Sequence, residues 1–142
     1  MRSFLLVFVQ FLCLGLIFLT GPLIPANPVL LAVELIGIGL GIWAVVAMGI
    51  RNFNITPEPL ADARLVVSGP YRLIRHPMYL ALLIATFPLL MAPFSPLRLF
   101  FWLVLLIDLL LKVRLEESLL AERLEGYHHY QERTYRILPF IY

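Results

Sequence analysis

Four apolar blocks constrain this chain more than any other feature of its sequence. They cover residues 4–20, 29–50, 78–92 and 97–113. A membrane-spanning helix takes roughly 20 residues, and the second block alone reaches that length comfortably. The third is short and interrupted by Pro88, which is expected to break its helix. Gly21-Pro22 ends the first block, a Pro/Asn turn runs through Pro28, and a proline-bounded turn at residues 93–96 opens the fourth. Of the 142 residues 61% are hydrophobic and 14% charged, so a soluble core of this size could not bury the excess. The fold class expected is all-α, a polytopic membrane protein with about four transmembrane helices. Arg2 ahead of the first block resembles a signal-peptide start. The run is long for that, however, and prolines rather than a small-residue cleavage site follow, so it reads as a retained helix.

The polar residues fix an orientation. With both termini cytoplasmic, Arg2, Arg51, Arg64, Arg72, Arg75, Lys112, Arg114, Arg123, Arg133 and Arg136 lie inside and Arg98 alone lies outside. The two polar stretches, residues 51–77 and 112–142, then meet at one membrane face. The second is expected to continue the fourth helix to about Leu124, followed by a short helix near residues 127–135 and an extended end at Leu138-Pro139. A net charge of +2 is too small to imply nucleic acid as a partner, and the single Cys13 excludes an intramolecular disulfide.

Within the blocks, Asp108 stands four residues before Lys112, a spacing that allows an ion pair on one helix face. Glu34 is within two turns of its helix start, where it is expected to reach polar headgroups. Gly37 and Gly41 share a face and predict close helix packing, not a nucleotide loop, because no strand precedes them. His128 and His129 diverge by about 100° on a helix and make no metal site.

The segment Ser68-Gly69-Pro70-Tyr71-Arg72-Leu73-Ile74-Arg75-His76-Pro77-Met78-Tyr79 is the most unusual in the chain. Pro77 suits the first turn of a helix, which would leave the amides of Met78, Tyr79 and Leu80 free for an anion. Arg72, Arg75 and His76 could equally anchor that helix to acidic headgroups. Glu116-Glu117 are expected to emerge from the fourth block beside this segment.

Together these pieces resemble the isoprenylcysteine carboxyl methyltransferase and phospholipid methyltransferase superfamily. The matching residues are Leu65-Val66-Val67-Ser68-Gly69-Pro70-Tyr71, Arg75-His76-Pro77-Met78-Tyr79, Glu116-Glu117, Leu120, Tyr127, Tyr130 and Leu138-Pro139-Phe140. The resemblance covers roughly residues 48 to 142. It implies S-adenosylmethionine as cofactor and a lipid-like or prenylated acceptor as substrate. Leu65, Val66 and Tyr71 would enclose the cofactor; Arg75, His76, Pro77, Met78 and Tyr79 would line it; Glu116 would hold one of its polar groups. Lys112 would face the acceptor, with Arg114 as the alternative. A carboxylate acceptor needs no general base, whereas an amine would call on Glu116, Glu117 or His76. The implied organisation is one integral membrane domain over 1–142, with two transmembrane helices in 1–50 and the catalytic region in 51–142. Leu80-Ala81 replace the small residue that commonly follows the Arg-His-Pro motif, and Leu124-Glu125-Gly126 replace the usual Phe-Gly. Sterol-type reductases share an Arg-His…Tyr segment, but Met78 and Leu80-Ala81 disfavour NADPH. A non-catalytic membrane module is the other alternative.

Overall fold

The structure, a computed structural model, describes residues 2–49, 52, 54–58 and 64–139. Arg51, Phe140 and the side chain of Arg2, used in the readings above, lie outside what it describes. Its helices are α1 (Arg2–Leu19), α2 (Pro28–Met48), α3 (Pro77–Met91), α4 (Pro96–Arg123) and α5 (Tyr127–Arg133), with a 3-10 turn at Gly69–Arg72. Among the described residues there is no strand. The all-α expectation therefore holds, and α4 does run without interruption from apolar block to charged tail.

Local chemistry starts these helices. Asn27 caps α2 by accepting from the amides of Val29 and Leu30, with Pro28 in the first turn. Ser95 accepts from the Arg98 amide in the same way, ahead of Pro96. Pro88 does not break α3, which continues to Met91. A proline removes one donor, and the packing of neighbouring helices can hold the turn together in spite of it.

The helices associate as two pairs. Cys13, Leu14 and Ile17 of α1 pack with Leu105 and Leu109 of α4 in one buried cluster. Between α2 and α3 the contact is closer still. A Cβ on Gly37 would run into the backbone of Ala85, and one on Gly41 would lie 3.4 Å from the Ala81 methyl. The Gly37–Gly41 face is thus a packing surface, as its spacing predicts. Arg98 closes the far end of α4 from inside: its guanidinium donates to the carbonyls of Leu89 and Pro93. Among the described residues, α1 and α2 scarcely touch each other although a short turn joins them.

One expectation about the acids fails. Asp108 makes no ion pair with Lys112, and its Oδ2 is buried without a hydrogen-bond partner. The Lys112 ammonium donates to Gln10 Oε1 at 2.7 Å, because α1 offers an acceptor on the inner side of α4. Glu34 is partly exposed on α2, with its Oε2 covered and without a hydrogen-bond partner. By length and composition, α2 is the one described helix able to cross a membrane, while α1 and α3 are shorter apolar helices.

Candidate active site

The chain from Ser68 onward builds the site. Gly69 has φ +58, in the left-handed region, and a Cβ there would meet the Ala47 methyl at 2.9 Å and lie 3.1 Å from Trp43 Nε1. A glycine is therefore what lets the 3-10 turn lie on the end of α2 and bury Pro70 and Tyr71. The C-terminal tail then pairs with the next residues in a short parallel bridge between Ile74 and Tyr135. Arg75 N–H donates to Tyr135 O at 2.8 Å and His76 N–H to Arg136 O at 2.9 Å. Leu138 and Pro139, expected to be extended, lie in a bend and a turn, and the backbone pairing comes at Tyr135 and Arg136 instead.

A buried charge cluster lies on that scaffold. Arg75 Nε meets Glu117 Oε1 at 2.6 Å, and Arg136 Nε meets Glu117 Oε2 at 2.8 Å. Arg75 Nη1 also donates to the carbonyls of Gln131 and Thr134. His76 is sandwiched by two carboxylates, with Nδ1 3.3 Å from Glu116 and Nε2 3.5 Å from Glu117. The second contact is electrostatic, since Nε2 forms no aligned hydrogen bond. Burial works against the imidazolium, but Glu116 and Glu117 outweigh it and raise His76 above its ordinary range. Burial would likewise raise Glu117, yet His76 and Arg75 hold its carboxyl down at about 2.

Tyr79 links this cluster to the helix interior. Its hydroxyl donates to Glu116, its ring stacks on His76 at 5.7 Å, and Lys112 Nζ stands 5.3 Å above the same ring. Lys112 also donates to Ile55 O at 3.3 Å, tying residues 54–58 to the site they help to line. Tyr71, Tyr127 and Tyr130 form an aromatic wall, and burial pushes the Tyr130 phenol up to about 12, so it stays a donor. It uses that proton on Tyr71 O at 2.7 Å. The amides of Tyr79 and Leu80 are not free for an anion, since both donate to His76 O. The α3 start begins its hydrogen bonding one residue earlier than a bare N-terminus would.

These groups border a cavity of about 600 Å³. Leu65, Val66, Tyr71, Arg75, His76, Pro77, Met78, Tyr79, Lys112 and Glu116 all line it, so the structure brings those sequence-singled residues together. Glu117 lies behind the wall in its ion pairs, and Arg114 is exposed on α4. His128 and His129 are exposed on α5. The Tyr127 hydroxyl, in the cavity wall, is buried without a hydrogen-bond partner, whereas His76 Nε2 is turned to Glu117. Gln10 and Glu34, which the sequence reading did not place here, line the cavity too. A lone amide in an apolar helix was the signal for Gln10.

The sequence model of the isoprenylcysteine carboxyl methyltransferase (ICMT) family matches residues 30–122, well over half of the chain. The chain belongs to that family. Membership makes it a methyltransferase of the membrane. The family match begins inside α2, takes in the Gly37–Gly41 packing face, and ends in the last turn of α4. It thus stops short of Tyr127, Tyr130 and the tail, which the motif resemblance had included. No curated protein and no solved structure matches the chain.

Proposed function

We propose that this isoprenylcysteine carboxyl methyltransferase family member uses S-adenosylmethionine to methylate the carboxylate of a lipid-like or isoprenyl acceptor at the cytoplasmic membrane face. One observation carries the reading: the His76–Glu116–Tyr79 cluster borders a cavity whose lining also includes a long run of apolar side chains from α1, α2 and α3. A polar cofactor and an oily acceptor can meet only where those two surfaces join.

Family members generally use S-adenosylmethionine, and the residues present suit it. Glu116, 17% exposed, lines the cavity, and the Tyr127 hydroxyl beside it has no hydrogen-bond partner within the chain. When bound, the cofactor supplies an electrophilic methyl group for in-line displacement. Alignment and exclusion of water would then be the chain's main contribution, effects worth up to roughly 7–11 kcal/mol. Lys112, inside the cavity, would orient the acceptor carboxylate. Arg114, pointing away, is the weaker choice for that role. Arg75 and Glu117 would act as positioning residues that hold His76 and the tail, not as groups touching substrate.

Four crossings with both termini inside fit this site. Large apolar side chains such as Phe4, Phe8, Ile36 and Val46 face outward on α1 and α2, as a lipid-facing surface requires. The deciding experiment compares binding of radiolabelled S-adenosylmethionine and NADPH to the purified protein. Saturable binding of the first alone, weakened by Glu116→Ala and His76→Ala, supports the reading. Wild-type affinity in both variants sinks the site.

A further inference from the structure

Gln10, Cys13, Leu14 and Ile17 recur at helical spacing and form a buried face of α1. Cys13, Leu14 and Ile17 pack on Leu105 and Leu109 of α4, and Gln10 meets Lys112 one turn further along. Both Gln10 and Lys112 line the cavity, and Lys112 is 1% exposed. A buried ammonium is costly unless an opposite charge compensates it. Two acids on its own helix have the spacing to do so. Asp108 stands one turn before Lys112 and Glu116 one turn after, yet neither is paired with it. Glu116 is engaged by Tyr79 and His76 instead. Among the described residues no carboxylate oxygen lies within 4.0 Å of the Lys112 ammonium. Its holders are neutral: Gln10 Oε1 at 2.7 Å, Ile55 O at 3.3 Å and the Tyr79 ring at 5.3 Å. An ammonium has three donors, so the two oxygens occupy two of them without cancelling the charge.

We infer that Gln10 is a positioning residue for the acceptor: its neutral amide oxygen fixes the Lys112 ammonium in the cavity wall and leaves that charge uncompensated for the carboxylate end of an acceptor. The inference rests on the methyltransferase reading for the identity of that acceptor. Gln10→Glu would hold the lysine equally well and cancel its charge, so the neutrality of the amide is the functional property. An acceptor arriving as an ammonium would instead be repelled, since like charges interact strongly where water is largely excluded. The family match begins at residue 30, so membership assigns Gln10 no role.

The test uses the full chain in lipid nanodiscs. It compares binding of S-farnesylcysteine, N-acetylated so that the carboxylate is its only charge, with binding of the corresponding carboxamide. The wild type should bind the acid about tenfold more tightly than the amide, the worth of one charge-assisted hydrogen bond. Gln10→Glu should bring the two affinities together. Gln10→Leu, which suits an apolar helix and removes the acceptor oxygen, should lower the ratio by a smaller factor, because the lysine keeps its charge and loses its anchor. A purely structural role for Gln10 would weaken acid and amide alike and leave the ratio untouched. Equal binding of the two by the wild type, a ratio that survives Gln10→Glu, or a ratio unchanged in Gln10→Leu overturns the assignment; the leucine variant decides alone if the acidic one does not insert. S-adenosylmethionine binding is measured on the wild type in the same nanodiscs. Its absence, with the Gln10-dependent ratio intact, would sink the methyltransferase reading alone. Its presence without that ratio would sink this inference alone.

Discussion

The Arg75 guanidinium and the Glu117 carboxylate meet at 2.6 Å with their side chains only 7% and 5% exposed, and Arg136 takes the second carboxylate oxygen. Three segments distant in sequence, the lead into α3, the end of α4 and the tail, are joined at this one acid. Breaking a buried pair by removing one partner typically costs about 3–5 kcal/mol, because the other charge is left stranded. Glu117→Ala should therefore release the tail and lower thermal stability in detergent. Hydrogen exchange at residues 134–137 should rise in the variant. Arg75→Lys should not rescue, since a lysine cannot reach Glu117, Gln131 and Thr134 with one planar fork. A variant with unchanged exchange at the tail would refute this joint.

The same cluster predicts how stability depends on pH. Glu117 is depressed from 4.5 to about 2, so its contribution is fully present above 4.5 and fades as pH falls toward 2. His76 is raised above 6.5, so its contribution is complete below 6.5 and is lost as pH climbs through the higher folded value. Melting temperature against pH should show a plateau bounded on the acid side below 4.5 and on the alkaline side above 6.5. His76→Gln should remove the alkaline decline and leave the acid one. An alkaline limb identical in that variant would mean another group sets it.

Much of this arrangement was legible in the sequence, and the rest was not, for physical reasons. The Pro/Asn turn through Pro28 and the proline-bounded turn at residues 93–96 mark helix starts because Pro acts within one turn, and the structure adds Asn27 and Ser95 as the caps. The Arg-His-Pro segment and Glu116-Glu117 could be placed on one face because the apolar blocks between them set the number of crossings. Spacing says nothing about which of several nearby partners a charge will take. Lys112 could reach Asp108 on its own helix, yet it donates to Gln10 on α1, a choice made by tertiary packing. The bridge between Ile74 and Tyr135 is backbone pairing across some sixty residues and leaves no side-chain pattern to read. Pro88 misled for a related reason: local geometry predicts a break, and packing by neighbouring helices overrides it.

The α2–α3 approach yields a packing prediction. Gly37→Val would drive a side chain into the Ala85 backbone, whereas nothing lies within 4 Å of a Cβ on Gly39. Overpacking of this kind costs roughly 1–3 kcal/mol. Gly37→Val should lose thermal stability in detergent and Gly39→Val should keep it. Equal melting temperatures would show that the helices are farther apart than described.

Lys112 and Arg114 sit two residues apart on α4, but the first is 1% exposed and lines the cavity while the second faces outward. If Lys112 orients an acceptor carboxylate, replacing it removes a charge-assisted contact worth about 1.5–3 kcal/mol, or roughly ten- to hundredfold in acceptor binding. Lys112→Met should raise KM for an isoprenylated cysteine by about that factor and leave the Kd for S-adenosylmethionine near the wild-type value. Arg114→Ala should change neither. Steady-state kinetics with both substrates, alongside direct cofactor binding, separates the outcomes. A KM effect in Arg114→Ala with none in Lys112→Met would move the acceptor to the outer face of α4. A fall in cofactor affinity in Lys112→Met would instead make the lysine part of the cofactor pocket, which its position over the Tyr79 ring beside Glu116 also allows.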